Sequence, residues 1–439
     1  MDRQYRIGES LDLVYESGQA NDLVAACVGS FSKPNVRVLA SEAFIRNRLG
    51  RPVAQPSPID EVILGTKICG QGCLLGNVTP QLIDNPRAAN VRLLMAGHFS
   101  SDNVGTNRGV KIYSQGSAEV CAAESVMLGD GGLTLLGDTV SDANLATQIT
   151  GIDHKLRIVE KIAQKQVGKQ KVLANQIGES RLKNRLRSEF HEQLMEQIAQ
   201  ANVTLGTNPP VMNRVGLKKP ARKSWTSGNY LAVLWRAQDA SQIAATNSCP
   251  IPVSADGLTI QLHQSAIYNS ADVVLAGRKI RSTELDDYAL QFGDEVPEQL
   301  AQEASGEPWS ITMQDFQPVA VSFDDDLITF LIRTERSEKG SQSLDQAATV
   351  IAKYSVQIVH GGIQLVRQGD VDVEFKGDAD RGTRAVILRS FLKNKFEKVF
   401  RENLFDRAIR LSDELPDNVP DMEIASIKVD DGWIQATLN

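Results

Sequence analysis

Residues 144–201 are the stretch that decides the fold: NLATQITGIDHKLRIVEKIAQKQVGKQKVLANQIGESRLKNRLRSEFHEQLMEQIAQA. This stretch contains no proline, and its apolar residues recur at helical spacing. They are Ile149, Ile152, Leu156, Val159, Ile162, Leu182, Leu186, Phe190, Leu194 and Ile198. At 1.5 Å per residue, an unbroken helix here would be about 80 Å long. Because Gly151, Gly168 and Gly178 are points where a helix bends or frays, two or three consecutive helices are an equally open alternative.

The residues before this stretch predict the sheet that such a helix would cover. Between about positions 60 and 140, short apolar runs alternate with polar residues and are separated by Gly, Asn and Asp. The runs are Val62–Leu64, Val91–Met95, Gly109–Tyr113, Ala118–Ala122 and Leu133–Leu136. Period-two alternation with regularly spaced turn residues is typical of an antiparallel meander with one covered face.

The second half of the sequence repeats this order of elements. Leu258–Leu262 alternates as Val36–Ala40 does, and a short helix is predicted after each, from Ser41 and from Gln264. Further strands are predicted at 318–323, 327–332, 350–359 and 369–375. A second long helix is predicted over 382–411, with an apolar stripe of Leu388, Phe391, Leu392, Phe396, Val399, Phe400 and Leu404.

The predicted fold class is therefore α+β, with two similar units of curved antiparallel sheet, each covered by a long amphipathic helix. A C-terminal β-hairpin follows, because Asp431–Gly432 supplies the positive φ angles of a tight turn between two alternating runs. The predicted domains are an N-terminal extension (1–34), a first sheet-and-helix unit (35–206), a proline-containing linker region (207–256), a second sheet-and-helix unit (257–412) and the hairpin (413–439).

Composition and charge exclude several classes of protein. The 439 residues are 42% hydrophobic and 23% charged, which is typical of a globular protein of about two domains. A net charge of -7 disfavours nucleic-acid binding. No run approaches the roughly 18 apolar residues that span a bilayer, so we expect no membrane span. The N-terminus lacks the pattern of a secretory signal, which predicts a cytoplasmic protein, or a periplasmic one if a signal has been removed.

Candidate motifs for metal, cofactor or catalysis have simpler interpretations. The five cysteines are an odd number without disulfide-framework spacing, and Cys69 and Cys73 would be about 13 Å apart on a strand. The spacing of Gly70, Gly72 and Gly76 does not match a dinucleotide-binding loop. The five histidines are scattered, no serine-centred nucleophile elbow occurs, and residues 324–326 (Asp-Asp-Asp) predict a turn. We therefore predict no metal, no cofactor and no catalytic residues, and the balance favours a protein that is not an enzyme.

A basic stripe on the first long helix is a candidate binding surface. Arg157, Lys161, Lys165 and Lys169 recur every four residues and so share one face. In an acidic protein, such a stripe is suited to an anionic membrane surface or another anionic partner. The simpler alternative, a solvated helix face, stays open at this point.

Two resemblances add expectations. The stretches 103–113 (NVGTNRGVKIY), 294–299 (DEVPEQ) and 368–375 (QGDVDVEF) resemble an envelope-type family of bacterial proteins that carries no established activity. The repeated order of strand, short helix, meander and long helix is similar to the tubular lipid-binding superfamily of bactericidal/permeability-increasing and lipid-transfer proteins. That resemblance implies an apolar seam, between each long helix and its sheet, that holds acyl chains.

Two functions follow as hypotheses. The first is non-enzymatic binding of an apolar ligand or lipid in a seam lined by Val371, Val373, Phe375, Leu388, Leu392, Phe396 and Phe400. The second is a structural or scaffold role in the cell envelope, in which the basic helix docks a partner. Sequence alone does not separate them, since core residues and pocket residues are of the same types.

Overall fold

The computed structural model describes residues 2–206, 210–252, 256–292, 307–375, 383–404 and 422–439. They divide into two compact units. The small unit comprises Glu42–Gly206 and Ser224–Leu231, and the large unit comprises the described residues of Met1–Ser41, Thr207–Lys223 and Ala232–Asn439. The division into five domains and the internal repeat remain predictions.

The described helices and strands account for most of both units. The helices are α1 (Asp2–Glu16), α2 (Asn21–Phe31), α3 (Glu42–Leu49), α4 (Arg157–Gly206), α5 (Pro210–Arg214), α6 (Gln264–Leu275), α7 (Leu285–Phe292) and α8 (Thr383–Val399). The strands are β1 (Val36–Ser41), β2 (Arg51–Ile63), β3 (Thr66–Ile83), β4 (Ala89–Asn107), β5 (Val110–Gly129), β6 (Gly132–Asp153), β7 (Ala221–Thr226), β8 (Tyr230–Arg236), β9 (Leu258–His263), β10 (Lys279–Arg281), β11 (Trp309–Met313), β12 (Val319–Asp324), β13 (Leu327–Lys339), β14 (Gln342–Leu344), β15 (Ala348–Val359), β16 (Gly362–Arg367), β17 (Asp372–Phe375), β18 (Ile424–Asp430) and β19 (Trp433–Leu438).

The small unit is an antiparallel meander covered on one face by α4, as the sequence predicts. Its five strands follow the chain in the order β2-β3-β4-β5-β6. Helix α4 buries a stripe of residues four apart, which pack on apolar residues of the sheet such as Met95 and Phe99. The stripe consists of Leu182, Leu186, Phe190 and Leu194.

The start of the long helix differs from the prediction. Residues 144–153 belong to β6, where Leu145 pairs with Ala118 and Ile149 pairs with Ser114 of β5. Ile149 and Ile152 are therefore strand residues, because their neighbours alternate between half-buried and exposed positions. Beyond this point α4 is one continuous helix of 50 residues, so the alternative of consecutive helices is wrong and neither Gly168 nor Gly178 breaks it.

The large unit contains two sheets. In one, the strand order is β10-β11-β13-β15-β16, with β12 and β14 also paired to β13 and β17 paired to β15. The other has the order β18-β19-β9-β1-β8-β7, and residues 224–231 at the β7–β8 turn belong to the small unit. The predicted C-terminal hairpin is confirmed, since Asp431 and Gly432 adopt φ angles of 48° and 78° between β18 and β19.

Helix α8 covers the first of these sheets, but it is shorter than predicted. It ends at Val399, and the N–H of Leu404 donates instead to the carbonyl oxygen of Leu365 in β16, at 3.1 Å. Val399 is 54% exposed and so lies outside the buried stripe. The rest of the predicted helix, 405–411, lies outside the described residues, as does the stretch 294–299.

The region expected to be a linker also forms regular structure. It contains α5, β7 and β8, because its prolines lie outside the two strands and leave their apolar residues free to pair. Among the described helices, none is long and apolar enough to cross a membrane.

Candidate ligand-binding cavity

An apolar cavity of about 390 Å³ lies in the large unit between the sheet and α8. Its sheet wall is formed by Ile280, Ile311, Met313, Val319 and Ile332. Register explains this wall: Ile280 pairs with Ile311, and Val319 pairs with Ile332, so their side chains are neighbours on one face. The helix wall includes Phe396 and Val399, and Leu275 and Leu285 of α6 and α7 complete the lining.

The seven residues predicted to bind a ligand all belong to the core beside this cavity. Val371, Val373, Leu388, Leu392 and Phe400 are at most 5% exposed, and Phe375 and Phe396 pack against them. Of the seven, Phe396 lines the cavity. The structure thus brings the predicted residues together, mainly as close-packed core.

Sequence reasoning missed most of the cavity wall. Trp309, Ile311 and Met313 alternate with Ser310 and Thr312 in β11, which is a strand pattern. That alternation could have located the wall.

Three cations lie on the helix side of the cavity: Lys395, Lys398 and Arg401. The Nζ atom of Lys395 is 5.3 Å from the centre of the Trp309 ring and 6.0 Å from that of Phe391. Contacts of this kind hold an ammonium group close to an apolar surface. The indole Nε1 of Trp309 is buried and donates to no acceptor among the described residues. The cavity therefore combines a long apolar wall with polar donors at one side.

The segment after α8, which carries Arg401, is anchored to the sheet by four hydrogen bonds. The Tyr354 hydroxyl donates to the Arg401 carbonyl oxygen at 2.9 Å, and Nη1 of Arg367 donates to the Phe400 carbonyl oxygen at 2.6 Å. The third is the bond from Leu404 to Leu365, and in the fourth the backbone N–H of Arg367 donates to the Glu402 carbonyl oxygen at 2.7 Å. Burial raises the pKa of Tyr354 to about 12, so the hydroxyl stays protonated and can donate across the physiological range.

An ion pair supports β10 and β11 at the other side of the cavity. Nζ of Lys279 lies 2.7 Å from Oε2 of Glu338, which also accepts a hydrogen bond from the Ser310 hydroxyl at 2.6 Å. These hydrogen bonds, chiefly the one from Lys279, lower the pKa of Glu338. Consecutive residues of β11 therefore have different roles: Ser310 belongs to this polar network, whereas Ile311 lines the cavity.

The second predicted site lies on α4. Arg157, Lys161, Lys165 and Lys169 are all exposed on the N-terminal half of that helix. Within the described part of the chain, no carboxylate lies within ion-pair distance of any of the four. The structure therefore leaves this basic face open to solvent.

Comparison with known proteins gives similar solved structures but no family. No protein-family model matches the chain, and no curated protein matches it. One similar structure is a lipopolysaccharide binding protein, with a TM-score of 0.33 and 9% identity over 93% of this chain and 99% of that chain. Another is P47 of Clostridium botulinum E1, with a TM-score of 0.32 and 7% identity over 93% of this chain and 99% of that chain. P47 from Clostridium botulinum A2 has a TM-score of 0.29 and 9% identity over 92% of this chain and 97% of that chain.

TM-scores this low establish neither the fold nor the function of this chain. A lipopolysaccharide binding protein is among the similar structures. The expected resemblance to the tubular lipid-binding superfamily stays a prediction.

Proposed function

We propose that this protein binds an apolar ligand or lipid in the cavity between α8 and the sheet of the large unit. The observation that carries the proposal is the cavity of about 390 Å³ with its aliphatic and aromatic lining. Small-molecule sites in proteins are concave, of about 300–1,000 Å³, and mostly apolar, with a few polar groups that fix orientation. This cavity matches that description in size and in chemistry.

The lining favours a ligand with one apolar chain and one acidic group. Each methylene removed from water contributes about 0.8 kcal/mol, so a chain of ten methylenes would gain about 8 kcal/mol before the cost of ordering it. Lys395, Lys398 and Arg401 are cationic groups at the helix side. A carboxylate or phosphate beside them would form charge-assisted hydrogen bonds.

The test is native mass spectrometry of the gently purified full chain, together with titration of a fluorescent fatty acid. We expect co-purified lipid and saturable uptake. The variants Val319→Phe and Ile332→Phe, which add volume at the sheet wall, should weaken uptake at least tenfold. Val386→Phe, at a position of α8 that is 59% exposed and outside the lining, is the matched control and should bind as the wild type does.

The opposite results would contradict the proposal. A measured mass equal to that of the chain alone, together with no uptake of the fatty acid, would contradict it. Unchanged uptake by both filling variants would show that the ligand binds elsewhere. Comparing a fatty acid with the alcohol of equal chain length tests the head group: we expect about tenfold preference for the acid, lost in Lys398→Gln, because a hydrogen bond to a charged group contributes about 1.5–3 kcal/mol.

A second candidate function is favoured by a separate observation. The cations of the N-terminal half of α4 stay exposed without carboxylate partners among the described residues. We propose that this basic face docks an anionic partner, as in the hypothesis of a scaffold role in the cell envelope. Binding to heparin, a soluble polyanion, should be present in the wild type and weakened in a Lys161→Gln, Lys165→Gln, Lys169→Gln variant.

A further inference from the structure

The N-terminal half of α4 exposes apolar side chains as well as cations. Ile158 is 74% exposed, Ile162 64%, Val172 68% and Leu173 50%. Large aliphatic side chains scattered singly on a surface are normal, but these four lie on one helix within five turns. Exposed apolar side chains grouped in this way are typical of a surface that contacts a partner or a membrane.

The apolar and basic side chains share one face. At 3.6 residues per turn, Lys161, Lys165, Lys169 and the four apolar residues fall within an arc of about 120°. The opposite side of this half is the one that is partly covered, since Ala163, Val167 and Ala174 are half-buried. The exposed face therefore alternates lysine and aliphatic side chains, without a separate polar stripe.

The charge of this half is strongly one-sided. Residues 157–178 contain five cationic residues and one carboxylate, Glu160, in a chain whose net charge is -7. The Glu160 carboxylate accepts a hydrogen bond from the His154 N–H at 3.3 Å, which places it at the start of the helix. The charge of this face is therefore complementary to that of an anionic surface.

The residue types favour a lipid bilayer over a protein. Lysine is depleted in protein–protein interfaces, where aromatic residues and arginine are enriched. At a bilayer surface, a lysine can lay its methylenes along the apolar region while its ammonium group reaches the head groups. Helices that lie in the plane of a bilayer combine cations with aliphatic side chains that enter the acyl boundary.

We infer that the N-terminal half of α4, residues 157–173, lies on an anionic lipid bilayer and inserts Ile158, Ile162 and Leu173 between the head groups. This inference rests on the docking function proposed for the basic face, and it names the partner of that face. Lys161, Lys165 and Lys169 contact lipid phosphates while the aliphatic side chains leave water.

The experiment is co-sedimentation of the full chain with vesicles, and heparin binding is measured in parallel. One set of vesicles is phosphatidylcholine alone, and the other is phosphatidylcholine and phosphatidylglycerol in equal parts. We expect binding to the anionic vesicles only. The triple lysine variant should lose about a hundredfold in affinity for them, since each lysine near such a surface contributes about fivefold.

An apolar variant separates insertion from simple electrostatic docking. Ile158→Gln, Ile162→Gln, Leu173→Gln should lose at least tenfold in affinity for anionic vesicles and keep its affinity for heparin. Its thermal unfolding midpoint should match that of the wild type because the three side chains are exposed. The control is Val140→Gln, at a position of β6 that is 62% exposed, which should change nothing.

Insertion can also be observed directly. An Ile162→Trp variant should show fluorescence that brominated lipids quench beyond the wild-type background, and Val140→Trp should show no added quenching. If the apolar variant bound anionic vesicles as the wild type does and quenching were absent, insertion would be overturned while docking stood. Binding to heparin without binding to vesicles would overturn the inference too, and binding to neither would remove the docking function itself.

Discussion

The two halves of helix α4 have the same helical conformation, but they differ in burial and in charge. The C-terminal half buries Leu182, Leu186, Phe190 and Leu194 against the sheet. The N-terminal half leaves Ile158 and Ile162 in solvent. Charges differ in the same way: residues 179–206 carry four cationic residues and four carboxylates, whereas 157–178 carry five and one.

The sheet beneath the helix explains part of this difference. Under the C-terminal half, its covered face presents large side chains such as Met95 and Phe99. Beneath Gly178, near the middle of the helix, a cavity of about 140 Å³ is lined by Ser101 and Ser114 together with apolar residues such as Ile63 and Leu145. At this point α4 therefore packs less closely on the sheet than its buried stripe does. A continuous amphipathic pattern does not imply continuous burial, and an uncovered portion is available for another surface.

The largest effect should come from truncating a buried residue of the C-terminal half. Leu186→Ala should destabilise the small unit by about 2–5 kcal/mol, because it leaves a cavity under the helix. Ile162→Ala, in the exposed half, should change stability by less than about 0.5 kcal/mol. Hydrogen exchange of amides in β4 and β5 across a urea series measures both. Equal effects at the two positions would show that the halves do not differ in packing.

The second largest change in stability should come from a buried polar cluster. The Glu124 carboxylate is fully buried, with Oε1 2.9 Å from Nδ1 of His191 and Oε2 accepting the Thr139 hydroxyl. His191→Ala should cost about 1–3 kcal/mol, because it removes one partner of a buried acceptor. His191→Gln keeps a donor and should cost less. If His191→Ala left protection in β5 unchanged, this hydrogen bond would contribute nothing to the C-terminal half.

Removing an ion pair of the C-terminal half should lower stability by a smaller amount. Oε1 of Glu61 lies 2.9 Å from Nη2 of Arg185, and Oε2 lies 3.1 Å from Nη1 of Arg181, with the Glu61 side chain 20% exposed. Glu61→Gln should cost about 1 kcal/mol, less at high salt. Lys165→Gln should have no measurable effect on stability. If the loss of stability in Glu61→Gln did not depend on salt, it would indicate that packing was lost and not an interaction between charges.

The smallest effect concerns the glycines within the helix. Gly168→Ala should stabilise the protein by about 0.5–1 kcal/mol, because a methyl group there meets nothing within 4 Å and restricts the unfolded chain. Gly178→Ala should stabilise less, since its methyl group would lie 3.1 Å from Cδ2 of Leu145. Equal gains at both positions would mean that Leu145 moves freely and that the middle of α4 is not closely packed.

The cavity illustrates how far sequence predicts a site. The stripe of α8 and the alternation in β17 correctly marked where helix and sheet meet, as the burial of Leu392 and Val373 shows. Which of those residues face empty space was not predictable. Phe396 and Phe400 are four residues apart on the same stripe, yet Phe396 lines the cavity while Phe400 is packed in the core. Which of the two lines the cavity depends on where α8 ends and on how Tyr354 and Arg367 anchor the next segment.

Local patterns determined the α+β class, the antiparallel meander, the existence of the long helix and the Asp431–Gly432 hairpin, since each depends on periodicity or on a residue's φ preference. Tertiary structure decided that residues 144–153 pair with β5, that half of α4 is left uncovered, and that the large unit holds a cavity beside its core. The reason is physical: apolar residues have the same pattern whether they face a neighbour, a void or solvent, and only the distant surface that meets them distinguishes these outcomes.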